Sequence, residues 1–376
     1  MIDVAIVGGG LCGLALAHSL QARRVGWTLL EARERLGGRV LTQTASNGLP
    51  VDLGATWYWP ATQPSMTRLV QDLGLASFGQ PDDGAVLLLD DPKRTPRVVQ
   101  TPPGGVHGGA RRLAGGMGAL VDALAKRLPT ARLRLRTEVS RLVDCGDHVE
   151  LHASQGDRAD VLKARQVVLA LPPRVAQALV CFEPPLPADV MAAMRATPTW
   201  MATAAKAAVA YPRAFWREQG LTANAWVTHP QAVLAEVFDA GPPGGEVAAL
   251  AGFVALDAAG RRSFERGLPM LIESQLAMLF GAEAQGGELH HQDWADERHS
   301  CSPLDPADLG GVTAGAPGEA TLESALWQGR LLLGGSETAR MSAGYLEGAL
   351  GAAARLRRQI AEGVAARREA AALSPP

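Results

Sequence analysis

The chain has 376 residues, 47% hydrophobic and 20% charged, a globular balance that excludes disorder and suggests about two domains. Its 36 Lys and Arg nearly cancel its 38 Asp and Glu, so there is no basic footprint for nucleic acid. Cys12, Cys145, Cys181 and Cys301 are scattered without paired spacing, which fits a reducing, cytoplasmic setting rather than a disulfide or zinc framework.

No apolar run approaches the ~20 residues that span a bilayer, and no membrane association is expected. The apolar stretch Ile2 to Leu20 has no basic leader and is interrupted by three consecutive glycines, so it reads as folded structure. Val4 to Val7 predicts a strand and Gly8-Gly9-Gly10-Leu11-Cys12-Gly13 a turn. Leu14, Ala17 and Leu20 predict a helix up to Arg23, and Thr28 to Glu31 the next strand. This is the βαβ opening of a doubly wound sheet.

Residues 79–116, rich in Gly, Pro and Asp, read as a loop-rich segment, followed by an amphipathic helix through Met117, Leu120, Val121, Leu124 and Leu128. Arg132-Leu133-Arg134-Leu135-Arg136 alternates and predicts a strand with three arginines on one solvated face. A meander through Val149-Glu150-Leu151 and Val167 to Leu171 ends at Pro172-Pro173. A helix is expected near Leu268 to Phe280, a loop at Gly310 to Pro317, a buried strand at Leu331 to Leu333, and a final helix striped by Leu346, Ala349, Leu350, Ala353, Leu356 and Ile360.

Gly8-x-Gly10-x-x-Gly13 alone is weak in a chain with 42 glycines. A strand before it, a helix after it and Glu31 at the end of the second strand sharpen it. The glycines let backbone N–H groups approach a pyrophosphate at a helix N-terminus, and Glu31 accepts hydrogen bonds from ribose hydroxyls. The spacing does not separate NAD from FAD.

Blocks further along the chain make that separation. Glu34-Arg35-Leu36-Gly37-Gly38-Arg39, then Asp52 to Trp57, Leu171-Pro172-Pro173, Lys206, Trp294, Gly334 to Thr338 and Gly344 to Ala349 occur in order along nearly the whole chain. In these blocks the sequence resembles the flavin-containing amine oxidase family, whose relatives include monoamine, polyamine and L-amino-acid oxidases. The resemblance implies FAD held by Gly8, Gly10, Leu11, Cys12 and Gly13, by Glu31, Ala32 and Arg33, and by Gly38 and Arg39 at the pyrophosphate. It further implies Gly54, Ala55, Thr56 and Trp57 against the isoalloxazine, Val139 at the adenine, Glu337 at the ribityl chain, and Tyr345 with Leu346 where a helix N-terminus meets the flavin.

Lys206 has its own signal. It is one of only four lysines and sits in an alternating run, on the face of Trp200, Ala202, Ala204, Ala208 and Ala210, a poor environment for a charge unless a partner or cavity is there. By resemblance it holds a water near flavin N5 and assists reaction with oxygen, so Lys206 and Tyr345 are the expected catalytic residues. Tyr345 is one wall of the family's aromatic cage. The second wall, a tyrosine soon after Trp294, is absent: the stretch reads His299-Ser300-Cys301-Ser302-Pro303. Trp57, Trp59 or Trp294 are candidates to replace it, and Trp57, Trp294 and Tyr345 are the expected substrate residues. Cys301 lacks the flanking residues of a flavinylated cysteine, so FAD is expected to be non-covalent. His290-His291 with Asp293 is read as a loop and not a metal cluster, because adjacent strand residues point to opposite faces; no metal is expected.

The expected fold is α/β: a Rossmann-like FAD-binding domain of the glutathione-reductase type (1–75, 115–185 and 319–376) and a discontinuous mixed-sheet substrate domain (76–114 and 186–318). The expected reaction is hydride transfer from an amine-bearing carbon to flavin, with O2 as acceptor and an apolar or amine small molecule as substrate. Two alternatives stay open here: a same-fold enzyme acting on C–C bonds or a reduced nucleotide, as in desaturase-like and renalase-like relatives, and a non-catalytic flavin-binding protein.

Overall fold

The computed structural model describes residues 1–101, 105–307 and 318–373, with side chains described as far as 363. The loop expected at Gly310 to Pro317 lies outside the described residues. The chain forms two compact units, residues 1–39, 121–202 and 298 onward, and residues 40–120 and 203–297.

The first unit is built on a mixed sheet. The central strand Ile2–Val7 pairs in parallel with Trp27–Leu30 on one side and with the second half of the long strand Arg158–Leu169 on the other. Leu133–Arg134 extends the sheet beyond Trp27–Leu30, and Leu331–Leu333 adds in parallel to Arg158–Leu169. The first half of Arg158–Leu169 turns back antiparallel through Val149–Gln155 and Glu138–Asp144. Runs such as Ala5-Ile6-Val7 and Val167-Val168-Leu169 are buried on both faces, which is why they read as unbroken apolar strands. The register brings Val7, Leu30, Leu169 and Leu333 to one level. The residues that come after each of them therefore emerge together at the carboxyl edge of the sheet, where doubly wound folds bind ligands.

The second unit carries a sheet ordered Glu288–Asp293, Ala205–Tyr211, Ala248–Val254, Leu234–Asp239, Leu221–Val227, Ala85–Leu89 and Arg97–Gln100. One face, with Ala207, Val209 and Tyr211, packs under the helix Leu268–Phe280. The other face, with Ala208, Ala210, Phe238, Ala249 and Ala251, is covered by Ala45, Leu49, Val51 and Leu53. Period-two alternation places Lys206 on this second face, paired across the ladder with Phe253.

These units divide the chain differently from the expected domains. Residues 40–75 fall in the second unit because the hairpin Thr42–Thr44 and Pro50–Asp52 brings Val51 and Leu53 onto its sheet. Residues 186–202 fall in the first unit, where Val190, Ala193 and Met194 of the helix Ala188–Ala196 join its core.

Three local expectations are corrected. Arg132 to Arg136 is not one strand: only Leu133–Arg134 pairs, Thr130–Arg132 is a helical turn after Pro129, and Arg136 has φ 53°. The three arginines diverge to the Trp27 ring at 5.5 Å, to Asp160 at 3.3 Å and to Glu34 at 2.8 Å. His290-His291 lie in a strand, Glu288–Asp293, zipped to Ala205–Tyr211 by its full length, instead of in a loop. The alternating run begins as a strand only at Ala205, so Trp200 does not share the face of Lys206.

Candidate active site

In the first unit the turn after Ile2–Val7 is set by glycine geometry. Gly8 has φ +109°, and a Cβ on Gly13 would sit 2.0 Å from the Gly8 carbonyl oxygen, so only glycine lets the helix Leu11–Ala22 close onto its strand. At Gly10 a Cβ would meet no atom within 4 Å. The helix starts there with no side-chain cap and no acidic residue in its first turn, so its first N–H groups stay open to an anion. The Gly-Gly-Arg block lies directly on this turn: the Gly37 N–H donates to the Gly9 carbonyl at 2.8 Å, and a Cβ on Gly38 would be 3.3 Å from Gly10 Cα.

Glu31 is 4% exposed, and its two carboxylate oxygens accept the N–H groups of Gly9 at 2.7 Å and Arg33 at 2.9 Å. Each oxygen keeps a lone pair for a further donor. Ala32 lies between Glu31 and Arg33, both bonded to the neighbouring segment, with the Thr137 N–H on the Glu31 carbonyl and the Arg136 N–H on the Arg33 carbonyl, and Arg33 Nη2 donates to Ser300 Oγ at 3.0 Å. Val139 is buried in the core, pairs with Ala153, and precedes a bulge in its strand. Burial pushes the Cys12 thiol up to about 11, so it behaves as a small neutral side chain of the helix.

Arg39 reaches the other end of the chain. Its guanidinium donates to both oxygens of Glu337, to Ser336 Oγ at 3.0 Å and to the Trp200 carbonyl at 2.8 Å. Glu337 is 3% exposed and also accepts the Trp200 N–H at 3.3 Å. Gly335, at φ +95°, makes this turn possible, because a Cβ there would lie 2.6 Å from the Leu171 carbonyl oxygen.

Tyr345 stands at the start of the helix Leu346–Leu373, where its carbonyl accepts the Ala349 N–H. Its ring lies against Trp200, centroids 5.8 Å apart and planes 33° apart. Sequence reasoning places Trp200 only as a neighbour of Lys206 on an alternating face; the signal that could have singled it out is the glycine at 344. A Cβ on Gly344 would sit 2.5 Å from the Trp200 Cβ. Where the second tyrosine is missing, the chain builds a buried polar knot: Asp305 accepts from Arg174 at 3.0 Å, from the Thr199 N–H at 3.1 Å and from Ser302 N and Oγ. Cys301 is buried beside it.

In the second unit Lys206 is 2% exposed. Its ammonium donates to the Gly54 carbonyl at 3.2 Å and to Thr56 Oγ1, and it faces the rings of Phe238 at 5.2 Å, Phe253 at 5.7 Å and Trp57 at 5.8 Å. Burial lowers its pKa to about 7, against the opposing charge of Asp52. Asp52, in turn, is raised by burial and held by Thr42 Oγ1 at 2.5 Å and the Met117 N–H at 2.8 Å. The Gly54-Ala55-Thr56-Trp57 stretch thus touches Lys206 within one unit.

The Trp57 indole N–H donates to Gln80 at 2.8 Å, and its ring is enclosed by Phe238 at 4.5 Å and His107 at 4.8 Å. Burial works against a charge on His107, but the hydrogen bond to Asp82 at 2.9 Å and the nearby carboxylates of Asp82 and Glu236 outweigh it and raise its pKa. Trp294, an expected substrate residue, is 4% exposed with its indole N–H on the Leu53 carbonyl at 3.0 Å, so it supports the 54–57 stretch from beneath. Among the described residues, Cys145, His148 and Glu150 bring donor atoms within 4.8 Å at a hairpin, but Cys145 is exposed and Glu150 is already paired with Lys163 at 3.0 Å.

Residues 100–360 match the family described as flavin containing amine oxidoreductase, and residues 6–73 match an NAD(P)-binding Rossmann-like domain. The chain belongs to the flavin containing amine oxidoreductase family. As a member of that family it is an FAD-dependent amine oxidoreductase. It is 24% identical over 464 residues to amine oxidase [flavin-containing] B of Sus scrofa, covering 95% of this chain and 86% of the relative. The Homo sapiens enzyme of the same name is also 24% identical, over 472 residues, at 95% and 86% coverage. Among solved structures, cyclohexylamine oxidase from Brevibacterium oxydans superposes with a TM-score of 0.77 at 18% identity, covering 96% of this chain and 99% of the other. Putrescine oxidase bound to putrescine does so with 0.75 at 20% identity, covering 97% and 99%.

The family's cofactor fits the first unit. The open space at Gly10, the uncapped helix end, the Glu31 carboxylate and the Arg39 fork together match a dinucleotide's pyrophosphate and ribose. Among the described residues no helix is long and apolar enough to cross a membrane.

Proposed function

We propose that this family member oxidises a small apolar amine, with FAD bound non-covalently. When bound, FAD supplies the two-electron acceptor: a hydride leaves the amine-bearing carbon for flavin N5, the imine hydrolyses, and O2 takes the electrons back with two protons as hydrogen peroxide. The observation that carries the reading is the convergence of Gly10, Glu31, Arg39 and Glu337 at one edge of one sheet.

In this reading the N–H groups at the start of Leu11–Ala22 bind the pyrophosphate, with Arg39 lending its fork, and Glu31 accepts from the ribose hydroxyls. Gly38 permits the close approach, Val139 packs at the adenine, and Glu337 fixes Arg39 and serves the ribityl chain. Tyr345 and Leu346 present the final helix's N-terminus to developing negative charge on the ring. Lys206, with its pKa near neutrality in an aromatic enclosure, is suited to hold and move a proton during the oxygen step. The Thr56 hydroxyl and Gly54 carbonyl orient its amine.

The test is anaerobic reduction. Flavin that bleaches with a member of an amine panel, and recovers with peroxide on admitting O2, supports the proposal. Flavin that bleaches only with NADH or an unsaturated lipid moves the enzyme to the carbon–carbon or reduced-nucleotide class. Acid precipitation should release the flavin to the supernatant; flavin retained in the pellet contradicts the non-covalent assignment.

A further inference from the structure

Trp200 stacks on Tyr345 with the two halves of the residue doing separate things. Its backbone is part of the Arg39–Glu337 network: the N–H donates to Glu337 and the carbonyl accepts from Arg39. Its side chain takes no part in that network and lies instead on the Tyr345 ring, both residues half-buried. The approach is built in. Gly344, at φ +84°, leaves room that any side chain would fill, and the Thr199 N–H anchors the preceding residue on buried Asp305.

The spacing decides what the pair can do. A slot that admits a substrate between two rings needs two ~3.5 Å contacts, about 7 Å in all, whereas a 5.8 Å separation is that of rings in direct contact. Nothing fits between Trp200 and Tyr345. The two rings form a single tilted plate, and a plate rewards a substrate that covers it with a face of its own.

We propose that Trp200 is a specificity-determining residue, extending Tyr345 into an aromatic plate that selects amines whose carbon skeleton is an aryl or cycloalkyl ring over slim linear diamines. The inference rests on the amine-oxidising reading above. A ring laid on the indole gains stacking contact that a linear chain does not, and a linear diamine would leave the plate uncovered.

The experiment measures anaerobic flavin reduction in the FAD-loaded full chain with phenylethylamine and with putrescine, for the parent, Trp200→Ala and Trp200→Phe. The expected result is a parent preference for phenylethylamine. Trp200→Ala should raise its half-saturating concentration about tenfold with a change below about twofold for putrescine. Trp200→Phe should recover most of the loss, and flavin content should be equal in all three because the backbone contacts remain. Equal shifts for both amines, no shift, or a parent preference for putrescine overturns the inference while leaving the amine-oxidising reading intact. Bleaching by neither amine nor any other amine removes that reading and the inference with it.

Discussion

Arg39 and Glu337 form a two-pronged ion pair, Nη1 to Oε1 at 2.6 Å and Nη2 to Oε2 at 3.0 Å, between residues 298 apart in the chain. The parallel fork matches carboxylate geometry, and Glu337 is almost wholly buried. Removing Arg39 leaves that carboxylate with only Ser336 and the Trp200 N–H. Arg39→Ala should destabilise the protein by about 3 kcal/mol, the lower end for breaking a buried pair since Arg39 is partly exposed, and should release FAD on gel filtration. Arg39→Lys keeps the charge but not the fork and should fall between. Unchanged flavin content and urea midpoint in Arg39→Ala would remove the pair from the account.

Two glycines in one turn should respond oppositely. In Gly13→Ala the new Cβ would lie 2.0 Å from the Gly8 carbonyl oxygen, so the turn must open, at a cost of about 3 kcal/mol in thermal unfolding of the apoprotein. In Gly10→Ala the Cβ meets nothing, and the extended backbone at φ −72° suits alanine. Apoprotein stability should be within about 0.5 kcal/mol of the parent while FAD affinity collapses, because the methyl group occupies the space left for the pyrophosphate. Calorimetry and fluorescence titration with FAD separate the two. Retention of parental FAD affinity in Gly10→Ala would contradict the assignment of that space.

Lys206 makes stability depend on pH in a stated direction. Its folded-state pKa is near 7 and its ordinary value 10.5. Between those values the unfolded chain keeps a proton that the folded chain has lost, so the contribution to stability rises with pH from about 7 and levels off above 10.5. Below about pH 7 the cost of the buried ammonium is fully present. Lys206→Met should therefore gain most over the parent near pH 6, and the gain should shrink toward pH 10, read from urea midpoints. The same variant should keep FAD bound but reoxidise it more slowly, a stopped-flow measurement; an unchanged oxidative half-reaction removes Lys206 from the oxygen step.

The polar knot that replaces the second tyrosine is expected to be structural. Asp305→Ala removes the carboxylate that neutralises the buried guanidinium of Arg174, which keeps its bond to the Arg195 carbonyl, and takes the acceptor from the Thr199 N–H, both anchored on one carboxylate oxygen. A loss of about 3 kcal/mol is expected, with weaker amine reduction through the displaced Trp200 loop. A variant as stable as the parent would show that the knot does not hold that loop.

The first βαβ unit was legible because its signals are local: a strand, a glycine turn in which Gly8 and Gly13 have forced geometry, and Glu31 at the second strand's end. The helix Leu268–Phe280 was legible from its apolar run. What the sequence did not show is what depends on distant partners. Trp200 is one tryptophan of eight until Gly344 and Tyr345 are folded against it. Trp294 looked like a substrate wall and turned out to hold the Leu53 carbonyl from within the core. The edge strand Glu288–Asp293, polar apart from Leu289, carries no apolar alternation, and only its ladder to Ala205–Tyr211 makes it a strand. The arginine alternation at 132–136 misled for the converse reason: each cation found its own partner, and those partners lie in different directions.

Amine oxidation is tested most directly by the visible absorbance of the FAD-loaded protein during anaerobic titration with phenylethylamine. Stoichiometric two-electron bleaching of the flavin is expected, reversed by oxygen with one peroxide formed per flavin. A flavin that stays oxidised with this and every other amine, while dithionite reduces it normally, would contradict it.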